Sequence, residues 1–268
     1  MAVTGTGTPT EHRLTGQLRE LGVRPDRPLL VHASLRAVGP VAGGGAAVLR
    51  ALRAALGPDG TLVVPAFTAR NSDTSAAHLE RVRGLDEAGR AAVRAAMPPY
   101  DAGTMPCDEG LGVLPELVRT RPGALRSAHP QTSFAALGPY AEKVVSGHRP
   151  DCHLGEDSPL ARLYDLRASI LLLGTGFGAC TAFHLGEYRV ARPPRRTYRC
   201  VVREDGAARW WSYEDVALDD GDFAALGADL ERSGAGTVRT GTVGAAACRL
   251  VDLAPAVDFA QGWFTRHR

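Results

Sequence analysis

Apolar positions along this chain follow two alternating rhythms. Leu14, Leu18 and Leu21 sit at helical spacing within 11–21, and a short continuous apolar run at 29–33 follows a proline-bounded turn. After VGPVAGGG comes a long amphipathic pattern with Val48, Leu49, Leu52 and Leu56 on one face; it stops at GPDG, and TLVVPAF reads as the next strand. Strand, crossover helix, strand predicts a parallel pair with the helix packed on the sheet. The same rhythm returns at 158–173, where Ser158 is placed as an N-cap, Pro159 takes the first helical position, and SPLARLYDL feeds the buried run SILLLGT. CVVREDGAARWWSY alternates around Asp205-Gly206 as a hairpin does, DDGDFAALGADLERSG reads as a capped helix, and 252–266 as a terminal helix built on Leu253, Val257, Ala260 and Phe264. Residues 70–106 lose the rhythm: they are rich in charge, with a modest helical pattern around 76–97, and read as an insertion or lid. The expectation is a single α/β domain over 1–268, layered α/β/α, with a mainly parallel central sheet and a late antiparallel hairpin.

Composition narrows the class. The 268 residues are 44% hydrophobic, enough for a substantial core, and carry a formal net charge of +2. That balance predicts no strong attraction to nucleic acid or to an anionic membrane surface, and no run approaches the length of a membrane span. The five cysteines, Cys107, Cys152, Cys180, Cys200 and Cys248, are scattered, with no C-x-x-C pair and no zinc spacing. Reduced thiols in a cytoplasmic protein, with no metal, is the expectation.

Candidate chemistry concentrates in a few stretches. In GTGFGACTAFHLGEYR, residues 174–189, glycine-permitted amides follow a buried strand, at the edge where open α/β sheets bind ligands. If Thr181 starts a helix, His184 and Glu187 share a face and the carboxylate orients the imidazole. Taken alone, an H-x-x-E pair is more often a half-buried histidine beside a solvated glutamate. In LLVHASLRAVGPVAGGG, a strand opens into a loop bearing His32, Ser34 and Arg36, and a glycine cluster precedes a helix whose N-terminal amides suit an anion. No G-K-[ST] follows, which argues against a nucleotide triphosphate. His129 in RSAHPQTSFAALG is held extended by Pro130, with core packing the safer reading. Asp157 before Ser158-Pro159 reads more readily as a cap than a ligand, and Glu214 and Asp215 as an exposed turn.

Together LLVHASLRAVGPV, ALGPDGTLVVPAF, RSAHPQTSFAALG, EDSPLARLYDL and ILLLGTGFGACTAFHLGEY resemble, in order and spacing, the signature blocks of the aminoglycoside 3-N-acetyltransferase family. The resemblance spans about residues 11–265 and implies that fold. It implies acetyl-CoA as donor and His184 as the general base that deprotonates an accepting amine, within the T-x-x-H-x-x-E block of Thr181, His184 and Glu187. His32, Ala33, Ser34 and Leu35 would contact the coenzyme pyrophosphate, and Ser133 and Phe134 would lie beside the pantetheine arm. Arg36 and the Arg195-Arg196 pair are candidate partners for coenzyme phosphates, though the pair reads more readily as solvated surface arginines. Asp215 matches an acidic family position and would support His184 or hold substrate ammonium groups. Some relatives carry a glutamate next to the phenylalanine of the following helix; here Phe223 is followed by Ala224. Acetyl transfer to an amine needs a base near the working pH and donors for a developing oxyanion, for which the 174–180 amides and the Thr181 hydroxyl are placed. A polycationic acceptor calls for carboxylates, with Asp73, Glu156, Asp157, Glu187 and Asp215 the candidates and Asn71 and Glu214 beside them. The resemblance implies antibiotic resistance. Acetylation of another primary amine in biosynthesis and a catalytically silent coenzyme A-binding protein are the alternatives, and the oligomeric state, with a homodimer among the options, stays open.

Overall fold

The computed structural model describes residues 8–235 and 238–268. Among them are nine strands: β1 (Leu29–Ala33), β2 (Leu62–Pro65), β3 (Leu125–Arg126), β4 (Phe134–Leu137), β5 (Ser169–Leu173), β6 (Arg195–Glu204), β7 (Ala207–Val216), β8 (Val238–Val243) and β9 (Ala246–Asp252). Seven form one sheet in the order β3-β4-β2-β1-β5-β9-β8, and β6 with β7 forms a separate two-stranded sheet. At the centre β1 pairs in parallel with β2 and with β5. β4 and β9 run antiparallel to their neighbours, so β1, β2, β3, β5 and β8 point one way. The sheet is mixed and mostly parallel, and the hairpin predicted at Asp205-Gly206 stands apart from it.

The central strands are continuous apolar runs because both of their faces are covered. Leu30, Val63, Ile170 and Leu172 face a core completed by Ala256, Val257, Ala260 and Phe264 of the helix Leu253–His267. Their alternates Leu29, Val31, Leu62, Val64, Leu171 and Leu173 face a second core, filled by the helices Glu11–Leu21 and Gly44–Leu56. Each fully buried leucine contributes about 1.5–3 kcal/mol, so the two cores pin the strand register. A one-residue slip in β5 would exchange its faces.

Local signals set the ends of these elements. The Thr10 hydroxyl accepts the Arg13 N–H at 3.4 Å to start the first helix, and Gly22, at φ 106°, closes it. Ser158 caps Pro159–Asp165 by accepting the Leu160 N–H at 3.2 Å. Asp205 and Gly206, at φ 48° and 80°, form the two-residue turn between paired Glu204 and Ala207. The pattern at 76–97 resolves into two helices, Ala76–Arg81 and Glu87–Ala95, instead of one. Gly84 turns the chain at φ 78°, and the Asp86 side chain starts the second helix by accepting the Gly89 N–H at 2.8 Å.

The 70–106 segment is fastened to the hairpin more than to the sheet. Ser72 bridges Cys200, and its hydroxyl donates to the Arg199 carbonyl at 2.7 Å. The Val201 N–H donates to the Asn71 carbonyl at 2.7 Å, and the Tyr100 N–H to the Val201 carbonyl at 3.1 Å. Among the described residues no helix is long and apolar enough to cross a membrane.

Candidate active site

Two loops leave the same ends of the neighbouring parallel strands β1 and β5. Gly174, at φ 69°, ends β5; a Cβ there would stand 2.6 Å from Ala37 Cβ and 3.2 Å from the Ser34 carbonyl oxygen. Glycine is required for this approach. It lets the loop after β5 lie against the loop after β1, and the Thr181 hydroxyl comes within 3.3 Å of His32 Nε2. The following helix, Phe183–Tyr188, is packed just as closely on the terminal helix. A Cβ on Gly186 would meet Ala260 Cβ at 2.9 Å and the Gln261 nitrogen at 3.0 Å.

That short helix presents His184 and Glu187 on one face, as the three-residue spacing requires. His184 Nδ1 lies 2.5 Å from Glu187 Oε2. A carboxylate at Nδ1 fixes the tautomer with the proton on that nitrogen and leaves the Nε2 lone pair free to take another. The His184 ring packs against Phe223 at 4.6 Å between centroids. Glu187 is itself held: its Oε1 accepts the Asp219 N–H at 3.1 Å and an N–H from the Arg268 guanidinium. His184 is 8% exposed and Glu187 4%, so the pair works largely out of water.

His184, His32 and Thr181 line a cavity of about 280 Å³, walled by apolar Ala33, Phe67 and Leu114. Burial, reinforced by the nearby His184, pushes the His32 imidazole down to about 3, so it is neutral in the folded protein. The Ala179 and Cys180 N–H groups bond within the loop, to Gly176 at 3.1 Å and Phe177 at 2.9 Å. Of the expected oxyanion donors, these two amides are therefore occupied, while Thr181 lines the cavity. A second cavity, of about 580 Å³, is bordered by Glu187, Asp219, Leu218, Arg192 and Arg268.

Other predicted residues fall elsewhere. Asp215 does not meet His184: its Oδ2 accepts His153 Nδ1 at 2.9 Å, the His153 N–H at 2.7 Å and the Tyr188 hydroxyl at 2.5 Å. Burial raises the Asp215 carboxyl, but these hydrogen bonds outweigh it and hold the group below the usual range. At 2% exposure it is no surface turn, because β7 turns it inward under the hairpin. The carboxylate supporting His184 is Glu187. Ser133 and Phe134 are fully buried behind the cavity wall. The Ser133 hydroxyl donates to the Ala66 carbonyl at 2.7 Å, and Phe134 packs edge-on to Phe67, which does line the cavity. The loop expected to bear His32, Ser34 and Arg36 is shorter than that: His32 and Ala33 belong to β1, Ser34 is the N-cap of a short helix, Leu35–Val38, and Arg36 is exposed on that helix. His129 is core, as expected, its Nδ1 accepting the Gln131 and Thr132 N–H groups at 3.0 Å each.

The proposed acceptor residues are already partnered or exposed. Asp73 pairs with Arg199 at 3.1 Å, Glu156 with Arg189 at 2.7 Å and Asp157 with Arg149 at 3.5 Å. Asn71 is buried and donates to the Pro130 and Val201 carbonyls at 3.0 and 3.3 Å. Glu214 is exposed on β7, its carbonyl accepting from Arg195 at 2.9 Å. Sequence reasoning missed Asp219, Asp220, Phe223 and Arg268 as site residues. DDGD announced only a helix start, and nothing near Arg268 signals a contact reaching back to Glu187. Among the described residues no group of three or more His, Cys, Asp or Glu is placed to hold a metal ion.

Known proteins resemble this chain in sequence and fold. The family model described as aminoglycoside 3-N-acetyltransferase matches residues 30–265. The SPbeta prophage-derived aminoglycoside N(3')-acetyltransferase-like protein YokD of Bacillus subtilis is 34% identical over 95% of this chain and 92% of its own. The YokD crystal structure superposes with a TM-score of 0.91, covering 98% of this chain and 95% of that one. AAC-IIIb in a binary complex with CoASH has a TM-score of 0.83 at 32% identity, covering 97% of each chain. AAC-VIa bound to sisomicin has a TM-score of 0.83 at 33% identity, covering 98% of this chain and 99% of that one. With the family match spanning nearly the whole chain, and the two parallel strands delivering a carboxylate-held histidine to one cavity, the protein belongs to the aminoglycoside 3-N-acetyltransferase family of acyltransferases.

Proposed function

We propose that this chain transfers the acetyl group of acetyl-CoA to an amine of an aminoglycoside, at the 3-N position as the family description has it, with His184 as the general base. The observation that carries the reading is that His184, held at Nδ1 by Glu187, lines the cavity of about 280 Å³. Its imidazole keeps Nε2 free to take a proton from the incoming ammonium, or from the zwitterionic adduct as it forms, while Glu187 stabilises the imidazolium. The apolar walls at Ala33, Phe67 and Leu114 suit an uncharged pantetheine arm, and the CoASH complex of AAC-IIIb supports the same donor here. Neutral His32 and the Thr181 hydroxyl, which both line this cavity, are in this reading the donors to the thioester oxygen. Asp220, which lines the same cavity, is an acceptor contact in this reading, and the hairpin, whose Arg196 and Val216 border the second cavity, is taken with the 70–106 segment bonded to it as the cover on the acceptor side. The product is an antibiotic with one amine neutralised, which makes resistance in the cytoplasm, where acetyl-CoA is at hand, the physiological role.

The experiment is incubation with acetyl-CoA and an aminoglycoside panel that includes sisomicin, read by mass spectrometry for the gain of one acetyl group and by fragmentation for its position. His184→Ala is expected to lower kcat by roughly 10²–10⁴-fold; unchanged turnover would remove the histidine from its role. A second reading, transfer to a less highly charged primary amine, is favoured by one observation: Asp73, Glu156 and Asp157 are already paired with arginines. Acetylation of simple amines but of no aminoglycoside would select it.

A further inference from the structure

Glu187 shares its carboxylate between the reaction and a cation. One oxygen serves His184, while the other accepts both the Asp219 N–H and the Arg268 guanidinium. Arg268 is also forked onto Asp222, with Nε 2.8 Å from Oδ2 and Nη2 2.5 Å from Oδ1, and it donates to the Asp219 carbonyl at 2.6 Å. Its guanidinium lies over the Phe264 ring at 4.1 Å. One guanidinium thus occupies two carboxylates and a carbonyl oxygen, a set of acceptors that equally fits an alkylammonium group.

The pair is not sealed in. The Arg268 side chain is 28% exposed, and both Glu187 and Arg268 border the cavity of about 580 Å³. The other arginine-paired carboxylates lie away from the histidine, whereas the carboxylate that Arg268 occupies is the one that orients His184.

We propose that Arg268 is a specificity-determining residue: its guanidinium holds, on Glu187 and Asp222, the place taken by an ammonium group of the acceptor, so that a polyamine binds by displacing an internal cation. An ammonium seated there lies one carboxylate away from the imidazole. The Asp219 N–H keeps Glu187 Oε1 oriented when the guanidinium leaves. The inference rests on the acceptor being a polyamine, as proposed above.

The test is isothermal calorimetry with sisomicin on the wild-type protein, Arg268→Gln and Arg268→Lys, together with KM for sisomicin and a thermal melt of each variant. Removing the internal cation is expected to tighten Kd about tenfold, the size of one charge-assisted hydrogen bond, with KM falling in step. Arg268→Lys keeps a cation in place and is expected to stay within about threefold of wild type. A merely structural role for Arg268 would weaken binding in Arg268→Gln. Acetylation of sisomicin by the wild type with an equal or weaker Kd in Arg268→Gln overturns the inference while leaving the polyamine acceptor intact. Absence of sisomicin binding to all three proteins overturns both.

Discussion

A carboxylate on Nδ1 fixes the His184 tautomer with the proton on that nitrogen, and Glu187 supplies it from one helical turn away. Glu187→Gln keeps a hydrogen-bond acceptor near Nδ1 but loses the charge that stabilises the imidazolium. Its kcat is expected to fall about 10–100-fold in a thiol-release assay, with little change in KM for the donor; an unaltered kcat would leave the carboxylate only a packing role. The H-x-x-E spacing was legible in the sequence because helical periodicity alone places the two residues together. Asp215 was not legible in the same way. Its neighbour Glu214 is exposed while it is buried, since adjacent strand residues face opposite sides, and its partner His153 comes from a loop 62 residues earlier. Burial lowers His153 even against the pull of Asp215, which describes a neutral imidazole on a carboxylate, a strut under the hairpin.

At the scale of elements, the site depends on how closely the helix Phe183–Tyr188 lies against Leu253–His267. Gly186→Val would force Ala260 and the backbone at Gln261 away, since even a bare Cβ approaches them to 2.9 and 3.0 Å. Overpacking of this kind costs about 1–3 kcal/mol, and because it moves the helix bearing His184, kcat is expected to drop with the melting temperature. A kcat drop without loss of stability would place the effect on the histidine alone, and no drop in either would show that the contact yields. The central strands β1, β2 and β5 and the long helices were legible because each buries a continuous run or a single stripe. The flanking strands were not. β4, a buried inner strand of only four residues, lay within a block that read as core packing, and at the edges β3 has two residues and β8 presents mostly exposed Arg, Thr and Gly. An edge strand with one solvated side and little apolar content carries no periodic signal.

For the whole molecule, several buried histidines link stability to pH. Burial pushes His32 down to about 3 and His148 to about 4, and lowers His129 and His153 as well. In the unfolded chain each returns to its ordinary value of 6.5, so between these values the unfolded state binds more protons than the folded one. Stability is therefore fully present above pH 6.5 and is lost as pH falls through 6.5 towards 4. The melting temperature is expected to be flat from pH 8 to about 7 and to decline steadily below about 6. A melting temperature that rose on acidification over that range would show that these imidazoles gain protons in the fold. Overall architecture was readable from the alternation of strand and helix because layered packing leaves few topologies open. The pairing of the 70–106 segment with the hairpin was not, because it rests on hydrogen bonds of Asn71, Ser72 and Tyr100 to the hairpin's backbone, which no hydrophobic pattern advertises.

The hairpin has its own small cluster, Tyr198, Cys200 and Tyr213, apart from the two cores that hold the sheet. The helix bearing His184 follows a strand of the sheet, whereas the ends of this lobe, Arg196 and Val216, border the second cavity, beside Glu187. Under the proposed function, mutational drift in the lobe would alter acceptor choice without touching the sheet, and grafting a relative's lobe onto this sheet is expected to carry over that relative's acceptor preference while leaving the rate of the chemical step to the host.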